Sequence, residues 1–419
     1  MNRKTLLLSV VLIALLAALA VMMRPLLNDS SVWPPDDYVE YWAAGKLNLE
    51  GKNPYSPGEL LPLERFAGRD TDEAIMMWNP PWTLSLAMPL GALPAREGQF
   101  VWLLLQAGSI ITAAVLLWKS FGGNADKTWI AIALSLGFVP TMFLLQSGQI
   151  SGFLVLGAAL YIWGVQRGYD FLAGAAAVLL AVKPHLAYLL WLAIALDALS
   201  HRRYRIILGG VVVGIIATAI PMLLNPQVWT QYFAAYRDHP PAQWVSLTLG
   251  SVLRLGLGEE KFWLQFVPVL LGLGWFALQW KKHWRTWNWV EQTPAILLVS
   301  FVTAPYGAWH FDLVLLLVPM LYRVAGFALS PSPSAGEGLG VRGISLLNDT
   351  PSPPTPLPLG ERGARVWLAV FIVANLTMIA LNRTGVYSYW FGWVAPLVLV
   401  FYIATAKREP IPQREPVPA

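Results

Sequence analysis

Apolar runs long enough to cross a lipid bilayer recur from one end of this chain to the other, separated by short loops that gather most of its Lys and Arg. A bilayer core asks for about 20 apolar residues per helix and offers no water to a free backbone N–H or C=O. That confines the chain to one fold class, an all-α polytopic membrane protein. Hydrophobic residues make up 56% of the 419 and charged residues 13%, a balance that no water-soluble core of this size could hide. The absence of cysteine excludes a disulfide framework and thiolate chemistry. The net charge of +5 is modest and sits in loops, so it reports orientation rather than a nucleic-acid surface, and 21 Trp with 14 Tyr suit the headgroup belts of many spans.

The first span is expected from Thr5 to Met23, behind Arg3 and Lys4. Ala18-Leu19-Ala20 resembles a cleavage site weakly, but the length of the apolar stretch favours an uncleaved anchor. Its basic flank puts the N-terminus in the cytoplasm and the following loop outside. Lys119, Lys127 and Arg167 mark later cytoplasmic returns. The stretch from Phe171 to Leu199 lies between Arg167 and the basic run His201-Arg202-Arg203-Tyr204-Arg205, so both ends read as cytoplasmic. Lys183-Pro184 interrupts its middle, and proline opposes a helix interior. The stretch is therefore expected to be a hairpin of two short helices with Lys183 near the outer face. Continuing the alternation gives a bundle of about 12 membrane segments with both termini cytoplasmic. Residues 330–365 are rich in Pro, Ser and Gly, a composition expected to form a disordered cytoplasmic insertion. It divides a 1–329 membrane region, the seat of any site, from C-terminal helices and a tail at 366–419.

With this topology, five polar loops fall on the outer side. They hold Asp36-Asp37, Ser147-Gly148-Gln149, Lys183-Pro184, Asp238-His239 and the Tyr306 to Asp312 segment. Asp36 and Asp37 are adjacent carboxylates in a chain that avoids charge, which suits a base with a raised pKa; the same residues also suit the N-terminal cap of a short helix. Lys183 lies mid-way along an apolar stretch, where a cation is costly and a helix break exposes N–H groups fit for phosphate; the alternative is snorkelling to the interface. Gln149 can bond a sugar hydroxyl or cap a helix. His310 and Asp312 stand beside Trp309 at the membrane edge, placed either for phosphate or for structure. Asp238 and His239 read as a solvated loop, and Tyr41, Trp42 and Trp78 either stack on a sugar or belong to the interfacial belt. No metal cage is expected, because His and Asp do not cluster at ligand spacing.

The order Asp37-Tyr38-Val39-Glu40-Tyr41-Trp42-Ala43-Ala44, Gly51-Lys52-Asn53-Pro54-Tyr55 and Trp78-Asn79-Pro80-Pro81 resembles the polyprenol-phosphate-mannose-dependent mannosyltransferase family of the GT-C glycosyltransferase superfamily. Ser147-Gly148-Gln149-Ile150, Lys183-Pro184 and Pro305-Tyr306-Gly307-Ala308-Trp309-His310 follow in the family's order. The chain departs from it at Trp78, Ser151 and Phe311, where the family often has Tyr, Asn and a second His. The resemblance implies a GT-C-like bundle with an extracytoplasmic first loop. It also implies an inverting, cofactor-free transfer of a hexose, mannose by the family's name, from a polyprenyl-phosphate donor to a lipid or glycan acceptor hydroxyl at the cell membrane. It makes Asp37, four residues before Tyr41, the catalytic base, with Asp36, Tyr41, Gln149, Lys183, His310 and Asp312 around the substrates. Membrane lipids are the surrounding partner, and nucleic acid is not one. A secondary transporter or flippase is the rival; it should show internal repeats and charges at mid-membrane depth, whereas here the polar groups gather at one face.

Overall fold

A computed structural model describes residues 33–240, 244–328 and 359–405, with Val21 and Asp29. The anchor expected at Thr5–Met23, most of the 330–365 insertion and the tail after 405 lie outside the described residues. Among the described residues every regular element is helical. Four helices are long and apolar enough to cross a membrane: Ala95–Ser120, Tyr204–Leu224, Phe262–Thr286 and Arg365–Arg383. The pair Ala125–Leu136 and Val139–Ser147, bent by 62°, makes a fifth if it counts as one span. Among the described residues, length and composition thus support four spans, or five with the bent pair. The count of about twelve segments suggested by the loop charges also takes in shorter apolar helices, Gly152–Gln166, Asp170–Val182, Pro184–Ser200, Trp289–Val302 and Ser388–Ala404. Leu208, Val211, Ile215 and Ile216 stand exposed on the Tyr204–Leu224 helix, as expected of a polytopic membrane protein whose outer surface meets lipid.

The last long helix runs Leu359–Arg383, so residues 359–365, assigned from composition to the insertion, are helical. Pro-rich sequence stops at Leu359-Gly360, and the residues after it, Glu361 to Trp367, carry no proline to oppose a helix.

The interrupted stretch around Lys183 is a hairpin. Its first arm ends in a 3-10 turn at Val178–Val182, Lys183 adopts φ −137° and ψ 72°, and Pro184 opens the next turn. At the far end Arg203 Nη2 lies 2.5 Å from Asp170 Oδ1, which brings the start of the first arm beside the end of the second. Proline supplies the break, since it has no N–H for the preceding turn and restricts the residue before it to extended backbone.

The acidic loop leads into the Tyr38–Leu49 helix, which is buried on nearly every side. Its neighbour is the Leu84–Gly91 helix. The two backbones approach so closely that a Cβ on Gly45 would enter the backbone of Ala87, and one on Gly91 the backbone of Gly45 and Lys46. Trp42 Nε1–H then donates to the carbonyl of Leu93 at 2.9 Å, fixing the depth at which the helix sits.

Candidate active site

Gly148 ends the Val139–Ser147 helix in the left-handed region, φ 73°, which a side chain would strain. Its carbonyl accepts from Trp102 Nε1–H at 2.7 Å, and the turn sends Gln149 toward the acidic loop. There the Gln149 amide links three groups. Its Nε2–H donates to Asp37 Oδ2 at 2.9 Å, while its Oε1 accepts from the Tyr41 hydroxyl at 2.9 Å and from Lys183 Nζ at 3.4 Å. The amide cannot be turned over, because an ammonium only donates and a carboxylate only accepts.

Lys183 Nζ also lies 2.7 Å from Asp312 Oδ1, and 4.8 Å above the Phe311 ring. The Lys183 side chain is 10% exposed and that of Asp312 not at all. Asp312 accepts two further donors, the Ser151 hydroxyl and the Trp309 backbone N–H, the latter at 2.9 Å. A buried carboxylate with this many partners holds its counter-ion firmly. Asp312 does not line the large cavity. It stands behind Lys183 as its counter-ion, which differs from the substrate contact expected for it.

The remaining candidates do meet in one cavity. About 980 Å³ in volume, it is lined by Asp36, Asp37, Tyr41, Gln149, Lys183 and His310 among others. Segments more than 270 residues apart in sequence thus form one chamber, from Asp36 to His310. His310 Nδ1 lies 2.7 Å from Ser388 Oγ and its ring packs edge-on against Phe143, so Nε2 is the nitrogen without a described partner.

Asp36 is strained, a non-glycine residue at φ 35°. It opens to the cavity, yet the protein crowding the mouth withdraws solvent and the neighbouring Asp37 charge adds to this, pushing its carboxyl up to about 6. Burial likewise raises Asp37, against the opposing pull of the Gln149 hydrogen bond and of Lys183. The site holds a third carboxyl that the sequence reading left unassigned. Glu40, almost fully buried on the Tyr38–Leu49 helix, lines the same cavity, and burial together with Asp37 raises it well above the ordinary range. Its position three residues after Asp37 at the start of a helix was the available signal.

Asn79 and His185 were missed as well. Asn79 Nδ2–H donates to the Val182 carbonyl at 2.7 Å, tying its loop to the Lys183 break. His185 stacks on Tyr306 with ring centroids 5.4 Å apart and Nε2 3.2 Å from the Gly307 carbonyl oxygen. His239, read as solvated, is exposed but stands on the cavity wall beside Trp78. Among the described residues no group of three or more His, Cys, Asp or Glu is arranged to hold a metal ion.

The arrangement can do one kind of chemistry well. A carboxylate of raised basicity, held in direction by an amide, faces a cavity also lined by an ammonium and an imidazole. Compared with known proteins, residues 78–329 match the family model described as Glycosyltransferase family 87, more than half of the chain. The match includes Gln149, Lys183, His310 and Asp312 and begins after the acidic loop. No curated protein and no solved structure matches.

Proposed function

The chain belongs to glycosyltransferase family 87, and from that premise we propose that it moves a hexose, mannose by its resemblance, from a polyprenyl-phosphate carrier to a lipid or glycan hydroxyl. The observation that carries this reading is the fixed hydrogen-bond chain from Asp37 through Gln149 to Lys183 inside one cavity. Transfer with inversion is a single displacement. The acceptor oxygen forms its bond to the sugar C1 as the C1–O bond to phosphate breaks, and that electron pair leaves with the polyprenyl phosphate.

Asp37 takes the acceptor proton. A bound carboxylate left to rotate would spend part of its time turned away, and Gln149 prevents this by holding one oxygen and leaving the other for the acceptor. Gln149 thereby orients the base, with its own oxygen occupied by Tyr41 and Lys183. Lys183 has a third N–H beyond those given to Asp312 and Gln149, and this one suits a phosphate oxygen on which charge grows as the bond breaks. Asp312 is the counter-ion of that ammonium, 2.7 Å from Nζ. His310, through Nε2, is a second donor for the phosphate. Glu40, whose carboxyl burial raises, lines the same cavity and offers a further polar contact to a sugar hydroxyl.

The test is to incubate the purified protein with radiolabelled polyprenyl-phosphate sugars and membrane lipid extracts and to follow the label. Movement of mannose into a lipid or glycan fraction supports the reading; retention of every label on its carrier overturns it. Placement of the cavity at the outer face is tested by Asp238→Cys and Lys282→Cys. The chain has no cysteine of its own, so a membrane-impermeant thiol reagent on intact cells should label the first and spare the second.

A further inference from the structure

One wall of the cavity is unlike the rest. Trp78, Tyr236, Trp244 and Tyr306 line it, and each is half-buried. They hold one another by edge contacts: Trp78 lies 5.4 Å from Tyr236 at 84° and 5.2 Å from Trp244 at 67°, and Trp244 lies 6.1 Å from Tyr306 at 70°. The Tyr236 hydroxyl donates to the Trp78 carbonyl at 3.2 Å, and the adjoining Asn79 bond fixes the wall to the Lys183 break. Such mutual edge packing sets each ring's orientation at little entropic cost.

A membrane-interface belt would turn these rings to lipid, whereas they face an interior chamber. Trp42, Trp82, Trp102 and Trp289 donate their indole N–H groups to the protein. Trp78 and Trp244 have no protein acceptor among the described residues. The same chamber is lined by Asp36, Asp37, Glu40 and Gln149. A ligand that satisfies both sets of groups needs a C–H face for the rings and a rim of hydroxyls for the carboxyls, amide and indole N–H groups. A polyisoprenoid tail has no such rim and uses none of those polar groups.

Resting on the glycosyl-transfer reading, we propose that Trp78, Tyr236, Trp244 and Tyr306 form a subsite that receives the C–H face of a hexopyranose ring. The ring belongs to the donor sugar or to a sugar of the acceptor, and in the second case the acceptor is a glycan or glycolipid. The chamber, at about 980 Å³, stands at the upper end of the roughly 300–1,000 Å³ typical of ligand pockets, which leaves room for a ring beside the reacting groups.

The experiment is saturation-transfer NMR on the purified protein in lipid nanodiscs with methyl α-mannopyranoside as probe, a readout that needs no turnover. Ring C–H protons should be saturated in the wild type. Affinity should fall about ten-fold in Trp78→Leu and in Trp244→Leu, with most of it kept in Trp78→Phe, because the lost contribution is that of an aromatic face. No saturation in the wild type, or equal affinity in a folded Trp78→Leu protein, overturns the subsite. So does a Trp78→Leu protein that loses bare polyprenyl phosphate, since the wall would then hold the tail.

Radiolabelled donor separates the two sources. If Trp78→Leu releases the sugar-bearing donor but retains polyprenyl phosphate, the ring is the donor's. If both are retained and the KM for acceptor rises, it is the acceptor's. A protein that transfers no sugar yet still saturates the pyranoside would remove the transferase reading while leaving the subsite in place.

Discussion

The hairpin broken at Lys183 has ion pairs at both of its ends, buried at Lys183 and half-buried at Arg203, and they are built differently. At the far end Arg203 pairs with Asp170 at 2.5 Å and with Asp197 at 3.3 Å, while Asp197 also accepts from Trp289 Nε1–H at 3.0 Å and lies 2.9 Å from His201 Nδ1. Each charge there faces a protein partner, and none of these residues lines the large cavity. At the near end Lys183 pairs with Asp312, and the chain of bonds then passes through Gln149 to Asp37 and stops at open space. Buried charge is costly in both places. A network closed on itself acts as a clamp, whereas one that ends on a carboxyl of raised basicity at a cavity has a bond left to make with a ligand.

The largest expected effect comes from breaking the open end. Asp37→Asn keeps the shape of the carboxyl and can still accept from Gln149, but it cannot take a proton. Single-turnover transfer should fall by about 10² or more with donor affinity little changed. The wild-type pH profile carries the same information. The base works deprotonated and burial raises Asp37, so kcat/KM should drop as pH falls through a value above the ordinary carboxylate range. Asp36→Asn, at the strained mouth position, should retain most activity and an acid limb of that kind. A dead Asp36→Asn beside an active Asp37→Asn would move the base by one residue.

Next in size is the pair behind it. Lys183→Met leaves Asp312 buried without its cation, which costs about 3–5 kcal/mol of stability, and it also removes a donor facing the cavity. Adding Asp312→Asn removes the orphaned charge. The double variant should therefore regain much of the lost thermal stability while its donor affinity stays low. Recovery of transfer together with stability would show that Lys183 is only a clamp, and the contrast between the two ends of the hairpin would disappear.

These residues also show what a sequence can and cannot disclose. Charge set in apolar surroundings is conspicuous, so Asp36, Asp37 and Lys183 were legible, and the Lys183-Pro184 break was readable because proline and the basic flanks agreed. Partnership was not legible. Gln149 meets Asp37 across 112 positions of sequence, and nothing in its spacing tells a sugar ligand from an orienting amide. Asp312 looked like a cavity residue because it is charged, and only the three-dimensional path reveals that Lys183 covers it. Tyr232 and Tyr236 are four residues apart on the amphipathic Val228–Asp238 helix, a facing pair that periodicity could have recovered. Short apolar helices carry the same hydropathy as long ones, so composition by itself does not fix which of them cross a membrane.

The smallest expected effect on transfer lies at the closed end, and it tests the comparison most directly. Arg203→Gln removes both ion pairs of that guanidinium, but Asp197 keeps Trp289 and His201. Charge-assisted hydrogen bonds of this kind contribute roughly 1.5–3 kcal/mol, so the melting temperature should fall. Since Arg203 stands outside the cavity lining, distant changes of this sort act independently, and kcat and the donor KM per folded molecule should stay within about two-fold of wild type. A thermally normal Arg203→Gln protein would show that the far cluster clamps nothing. One that melts normally and transfers slowly would mean that the hairpin transmits position from end to end, and that the charges near Asp197 belong to the working site after all.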